Sequence, residues 1–448
     1  MKVLPSISKI LLVRPDMIGD AVLISPAISL IKKKLPKVKI SLLLQKYTAD
    51  LYENHPEVDE IILDQTPKNF FKFVGEIKKK RFDLAIAFYN ELPYALLLLL
   101  AGIPIRIGDR SKILFGWMYN VKFSQRWSDL TRHEVEHNLE LLTPLGIETN
   151  DPPPLKIATS QQIIELPKNK LLIGIHPGVG KGNKAWLPER YAEVIDRLGK
   201  KLEATLVLMG SKKEREIGLK ITSLCQTPVL NLIEKTSLAQ TMDLISKLHL
   251  FIGVDSGPLH IAAAYQIPTV AIFPTKFVKP IQWGPWQTPH LIVRKNIECQ
   301  RICRPASCPF DDCLKQIEAQ DVVEAVFALL EGKGKWSLES RKEWQKKSFQ
   351  ILTNEKTIYQ KLTTSGYWAE LSGKNNFINL FRQIVAKDIN IIHWVGQKLN
   401  INLLMAKLIS TFFLPIPPLL IWEKEKVERS PEKIISLYLE KFKTRKYF

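Results

Sequence analysis

Three short stretches of the chain carry residues of the type and spacing that chemistry on a phosphorylated ligand requires. In Gly253-Val254-Asp255-Ser256-Gly257-Pro258-Leu259-His260 a small-residue turn follows an apolar stretch, residues 248–252, and precedes a helical pattern, residues 261–265. That order, strand then turn then helix, aims backbone N–H groups and the positive end of a helix dipole at whatever sits above the turn. A phosphate is the natural occupant. Ser256 and Gly257 would supply the amides, with no Cβ at Gly257 to block a close approach. A plainer reading of the same residues makes Asp255 a helix cap, Gly257-Pro258 an ordinary turn and His260 a packing residue.

The second stretch is His176-Pro177-Gly178-Val179-Gly180-Lys181-Gly182-Asn183-Lys184-Ala185-Trp186, again placed between a strand and a helix. It lacks the Gly-Lys-Ser/Thr of a Walker loop and the third glycine of a dinucleotide fingerprint. Its lysines either are solvated on a surface loop or neutralise a diphosphate leaving group in place of a metal ion. The third stretch, Met17-Ile18-Gly19-Asp20, sits between the first strand and an apolar helix. Asp20 there either caps the helix or serves as a general base that takes a proton from an acceptor hydroxyl, with Asp16 the weaker candidate for that role.

The elements that must position these residues form two series. In the first, strands are predicted over residues 10–13, 39–44, 60–63, 84–88 and 105–107, with a helix over 28–34. A Pro-rich break, Asp151-Pro152-Pro153-Pro154, then marks a linker. Strands over 171–175, 205–209, 229–230, 250–253 and 269–273, with helices over 191–202 and 238–247, make the second series. Alternation of this kind predicts parallel α/β halves with a cleft at the carboxyl ends of their strands. The boundaries follow as 1–150, 151–334 and a third, mostly helical region over 335–448. The most apolar part of that region, residues 401–422, is broken by Pro415, Pro417 and Pro418, so it is predicted to lie on a membrane or on the protein body instead of spanning a bilayer.

Composition narrows the partners. With 64 Lys plus Arg against 45 Asp plus Glu the net charge is +19, which favours an anionic partner such as a nucleotide sugar or an acidic membrane surface. No nucleic-acid-binding signature accompanies that charge. The N-terminal residues lack the pattern of a signal peptide, and a cytoplasmic location is expected. Of the five cysteines, Cys299, Cys303, Cys308 and Cys313 cluster at spacings outside the usual paired zinc hooks; a structural zinc, reduced thiols and a disulfide all remain open.

Taken together, these elements resemble glycosyltransferase family nine, the ADP-heptose:lipopolysaccharide heptosyltransferases. The resemblance runs from about residue 10 to about residue 330. It includes the Arg14 to Asp20 turn followed by Pro26-Ala27, Phe82-Asp83-Leu84, Gly102-Ile103-Pro104 with Arg106-Ile107-Gly108, and His133-Glu134-Val135-Glu136 with Asn138-Leu139. It continues through His176-Pro177-Gly178, Lys184-Ala185-Trp186, Thr236-Ser237-Leu238, Asp255-Ser256-Gly257-Pro258 with His260, and Trp283-Gly284-Pro285. Residues past 335 lie outside the pattern.

The resemblance implies a GT-B architecture, two Rossmann-like domains facing across a cleft, with the acceptor on the first and the nucleotide sugar on the second. It implies that Asp20 is the catalytic base and that Lys184 contacts the donor phosphate. It places Gly178, Asp255, Ser256, Gly257, Pro258 and His260 around the donor, Thr236 at the adenine, and Glu214 or Glu216 near the ribose. Arg14, Gly19, Asn90 and Arg106 fall on the acceptor side. The implied reaction is metal-independent, inverting transfer of a heptose or related sugar from an ADP-sugar to a lipopolysaccharide core or similar glycolipid, carried out by a peripheral enzyme on the inner face of the cytoplasmic membrane. A non-catalytic nucleotide-sugar-binding scaffold and a nucleotide-sugar epimerase of the same fold are the alternatives.

Overall fold

The computed structural model describes residues 7–331, apart from residues 67, 113, 122, 124, 126–131, 161, 168–170, 181–182, 276–277, 296–304, 306–307, 309 and 311. The predicted helical region over 335–448 therefore lies outside the described residues, as do Cys299 and Cys303.

The first half is a parallel sheet built from β1 (Lys9–Val13), β2 (Lys39–Leu44), β3 (Glu60–Leu63), β4 (Leu84–Ala87) and β5 (Ile105–Ile107), in the order β3-β2-β1-β4-β5. Its inner strands are almost continuously apolar because both faces are covered, as parallel sheets require. Helices α1 (Ile18–Leu23) and α2 (Ser25–Lys34) connect β1 to β2, α3 (Phe70–Lys80) connects β3 to β4, and α4 (Leu92–Leu100) connects β4 to β5. Pro26 falls in the first turn of α2, where its missing N–H costs nothing, so the helix begins three residues before the predicted start. Helix α5 (Glu134–Glu140) follows the sheet and packs on α1 and α2.

The second half repeats the logic. Strands β6 (Leu171–His176), β7 (Ala204–Leu208), β8 (Leu230–Asn231), β9 (Leu250–Val254), β10 (Thr269–Ile272) and β11 (His290–Val293) form a parallel sheet in the order β11-β10-β9-β6-β7-β8. Helices α6 (Pro188–Lys201), α7 (Arg215–Leu224), α8 (Leu238–Ser246) and α9 (Gly257–Ala264) alternate with the strands, followed by the short α10 (Pro280–Trp283) and α11 (Asp312–Lys315). Helix α12 (Ala319–Leu330) closes this half by packing on α6, β10 and β11. Its core joins Ile173, Ile175, Leu208, Ile252, Val254 and Ile272 of the strands to Tyr191, Leu198, Val322 and Val326 of the helices.

Each sheet has one place where the chain reverses its direction of travel, between β1 and β4 in the first and between β6 and β9 in the second. Crevices open at the carboxyl ends of strands at such points. All three chemically suggestive stretches sit there: Met17 to Asp20 after β1, His176 to Trp186 after β6, and Asp255 to His260 after β9. The architecture is the expected GT-B one.

The Pro-rich segment is held by the second half, and the chain just beyond it by both. Trp286 Nε1 donates to Pro153 O at 3.2 Å and Gln287 Nε2 to Pro152 O at 2.7 Å. Further along, Ala158 N donates to Leu51 O at 2.8 Å while Ala158 O accepts from Tyr265 Oη at 2.7 Å. Among the described residues no helix is long and apolar enough to cross a membrane.

Candidate active site

The site is organised around Arg14, a buried arginine at the end of β1. Its Nη1 donates to Phe88 O at 2.8 Å and to Asn138 Oδ1 at 3.3 Å. Its Nη2 donates to Asp20 Oδ1 at 2.6 Å and lies 3.5 Å from Glu134 Oε1, while Nε stands 3.0 Å from Asp16 Oδ1. Asp20 is not a helix cap: Met17 occupies the cap position of α1, and the carboxylate lies in the first turn, turned toward Arg14. Its Oδ2 makes no hydrogen bond among the described residues.

One guanidinium thus faces three carboxyls, with Arg14 and Glu134 buried and Asp16 and Asp20 partly exposed. Burial would lower the basicity of Arg14, but Asp16, Asp20 and Glu134 more than offset it and hold the group above the ordinary arginine value. Burial pushes Glu134 up to about 8 against the pull of Arg14, and Asp20 and Asp16 add to the rise. Burial also raises Asp16 to about 7, opposed by Arg14 and assisted by Asp20.

The loop from Asp255 to Pro258 meets this cluster directly, because α1 packs on α9. A Cβ at Gly19 would stand 2.8 Å from His260 Cδ2, and one at Gly257 would stand 2.7 Å from Ile18 Cβ. Two glycines therefore let the turn that carries Asp20 and the turn that opens α9 touch. Asp255, raised to about 7 by burial with a further contribution from Asp20, places its Oδ1 3.8 Å from His260 Nε2. Burial pushes His260 down to about 4 despite Asp20, so its ring is neutral at pH 7.

Ser256 is the cap residue of α9 without a side-chain cap bond; its Oγ donates inward to Val254 O at 3.0 Å and lies 3.2 Å from His176 Nδ1. Gly180 N donates to Asp255 O at 3.0 Å, which ties the second and third stretches together. Gly178 lies against the Glu214 carboxylate, where a Cβ would come within 2.6 Å of Oε1, and Glu214 also closes a capping box with Ser211. Glu216 is exposed. Lys184 Nζ donates to Cys308 O at 3.3 Å. Two residues on, Trp186 is fully buried, stacks edge-on with Tyr191 at 4.9 Å and donates to Ile317 O at 3.3 Å, so it anchors the strand-to-helix segment that carries the lysine.

The remaining predicted residues have local partners. Thr236 Oγ1 lies 2.9 Å from Thr241 Oγ1. Asn90, just past β4, accepts from Asp109 N at 2.7 Å and donates to Gln125 Oε1 at 3.3 Å. Arg106, in β5, donates through Nε to Met118 O at 2.8 Å and through Nη1 to Ile103 O at 2.5 Å. Asn90 and Arg106 thus order the segment after β5. Cys308 and Cys313 are half-buried. Among the described residues no group of three or more His, Cys, Asp or Glu is arranged to hold a metal ion.

Glu134 and Asn138, which fix Arg14, are absent from the site residues drawn from the sequence. They lie one turn apart on α5 and meet the same buried cation across 120 and 124 positions, a pairing that no local spacing signals.

Three comparisons bear on this arrangement. The sequence profile of glycosyltransferase family 9 (heptosyltransferase) matches residues 70–313. Lipooligosaccharide heptosyltransferase 2 of Campylobacter jejuni is 29% identical over 335 residues, covering 71% of this chain and 98% of that relative. Lipopolysaccharide heptosyltransferase 3 of Escherichia coli is 27% identical over 337 residues, covering 70% and 96%. The solved structure of E. coli ADP-heptose LPS heptosyltransferase II superposes with a TM-score of 0.62 at 25% identity, covering 72% of this chain and 99% of the other. With the family profile spanning more than half its length, the chain belongs to glycosyltransferase family 9, the heptosyltransferases.

Proposed function

We propose that this enzyme transfers heptose from ADP-heptose to a lipopolysaccharide core or a related glycolipid, with inversion at the anomeric carbon. The observation that carries the reading is the contact between the Asp20 turn and α9 through Gly19 and Gly257. It puts a carboxylate from one half beside the uncapped helix start of the other. In this reading residues 1–150 hold the acceptor and residues 151–334 the donor.

Asp20 Oδ2 takes the proton from an acceptor hydroxyl while Arg14 holds Oδ1 and fixes the carboxylate's orientation. The acceptor oxygen forms its bond to the anomeric carbon from the face opposite the diphosphate. The bond from that carbon to the diphosphate oxygen breaks, and ADP leaves with the electron pair. Lys184, exchanging the Cys308 carbonyl for phosphate oxygen, and the amides at the start of α9 stabilise the charge that develops. Asp255 and His260 line the donor sugar, Glu214 and Thr236 the nucleoside. ADP-heptose is the donor named for the solved relative, and lipopolysaccharide and lipooligosaccharide appear in the names of the curated ones.

Incubating the full chain with ADP-heptose, with and without a heptose-deficient lipopolysaccharide, tests this. ADP release that requires both substrates is expected. Release without acceptor, or turnover only with another nucleotide sugar, contradicts it.

A glycolipid acceptor places the enzyme at the cytoplasmic face of the membrane. Phe71 at 81%, Trp117 at 62% and Leu114 at 54% exposure lie on or beside α3 and the turn over Gly116–Met118, each of which packs against α4, and α3 ends in Lys78-Lys79-Lys80. Apolar tips among lysines suit an anionic interface. Residues 335–448 are the second candidate for this contact. Salt-sensitive sedimentation with anionic vesicles, lowered by Phe71→Ser with Trp117→Ser, is the expected result; unchanged sedimentation contradicts this surface.

A further inference from the structure

The cap of α5 is a histidine, and it does more than a cap requires. His133 Nδ1 accepts from Val135 N at 3.1 Å, and His133 N donates to Glu136 Oε2 at 2.7 Å, completing a capping box. An Nδ1 that accepts carries no hydrogen, so in the neutral ring the hydrogen is on Nε2. That nitrogen lies 2.8 Å from Gly284 O, in the second half of the molecule, and donates to it. The ring also packs on Trp286, centroids 4.7 Å apart, and Trp286 in turn donates to Pro153 O. Helices elsewhere in the chain use Ser211 and Ser237 in the same role, and serine or aspartate caps a helix at least as well. Only a longer side chain with a second nitrogen both caps and reaches across.

What α5 carries explains the use of that reach. Glu134 and Asn138, one turn apart, both meet Arg14, and Arg14 holds Asp20 Oδ1 at 2.6 Å. An unbroken series of contacts runs from Gly284 through His133, α5 and Arg14 to Asp20. We propose that His133 is a positioning residue that ties the alignment of the Arg14–Asp20 pair to the seating of the second half at Gly284. The proposal rests on the reading of Asp20 as the base. Through it the base comes into register when the donor-binding half is in place.

His133→Asn separates the two roles, since asparagine caps α5 but is too short to bridge. Measured on the full chain with ADP-heptose and acceptor, it is expected to melt near the wild-type temperature and bind ADP normally. Its kcat should fall roughly ten- to a hundredfold, the scale of a misplaced catalytic group, with KM for the donor little changed. Adding Glu134→Ala, which removes the side chain that meets Arg14, should cost less than the product of the two single losses, because both act through Arg14. If His133→Asn does not fold, His133→Ser makes the same comparison. Wild-type kcat in the capping variant, beside a silent Asp20→Asn, overturns the positioning role alone. An active Asp20→Asn overturns the base assignment and this proposal with it.

Discussion

Gly19 stands against His260 so closely that a Cβ would come within 2.8 Å of the ring's Cδ2. His260 is buried, so a side chain at residue 19 would force its ring or α1 to shift within the contact between the two halves.

Gly19→Ala is therefore expected to lower turnover by roughly tenfold or more while each half keeps its fold, because displacing reacting groups by a fraction of an ångström costs rate before it costs stability. Steady-state kinetics beside a melting curve check this. Wild-type turnover in the alanine variant would show that the contact is not the working arrangement.

Lys184→Ala removes a cation whose Nζ donates to Cys308 O at 3.3 Å. If that cation serves the diphosphate, ADP binding weakens by roughly ten- to a hundredfold, the worth of about 1.5–3 kcal/mol for a hydrogen bond to a charged group. The loss should persist in chelator. Unchanged affinity by calorimetry argues that another group carries the leaving charge.

The buried acids predict how stability responds to pH. Glu134 is raised from 4.5 to about 8, chiefly by burial, so in the folded protein it stays protonated where the unfolded chain has already ionised. Its contribution is fully present below about pH 4.5, is lost progressively as pH rises, and levels off above about 8. Glu134→Gln, which mimics the protonated form, should flatten the fall in melting temperature between those limits. An equally steep fall in the variant would assign the slope to other groups such as Asp16 or Asp255.

The bounds of β2, β3 and β5 are legible because each is a short stretch rich in Ile and Leu bounded by polar or turn residues, β5 with Arg106 between two isoleucines, and its length suits a strand better than a helix. Helix α4, Leu-Pro-Tyr-Ala followed by five leucines, has no polar face to mark its period, and β11 is four residues without alternation. Neither announces itself. At the site, Asp20, Lys184 and Asp255 stand out because each lies in a turn with glycine beside a strand. The residues that aim them do not: Glu134 meets Arg14 across 120 positions and His133 meets Gly284 across 151, and no local spacing encodes such pairs. Asn90 and Arg106 also bond to backbone of neighbouring segments, contacts that their residue types do not announce.

The most direct test of the account is the turnover of Asp20→Asn with saturating ADP-heptose and acceptor, set beside its affinity for ADP. Asparagine keeps the size of the side chain and can still face Arg14 but cannot take a proton. The account predicts kcat lowered by roughly a hundredfold or more with ADP affinity nearly unchanged. Turnover within a few-fold of the wild type would contradict it and pass the role of base to Asp16.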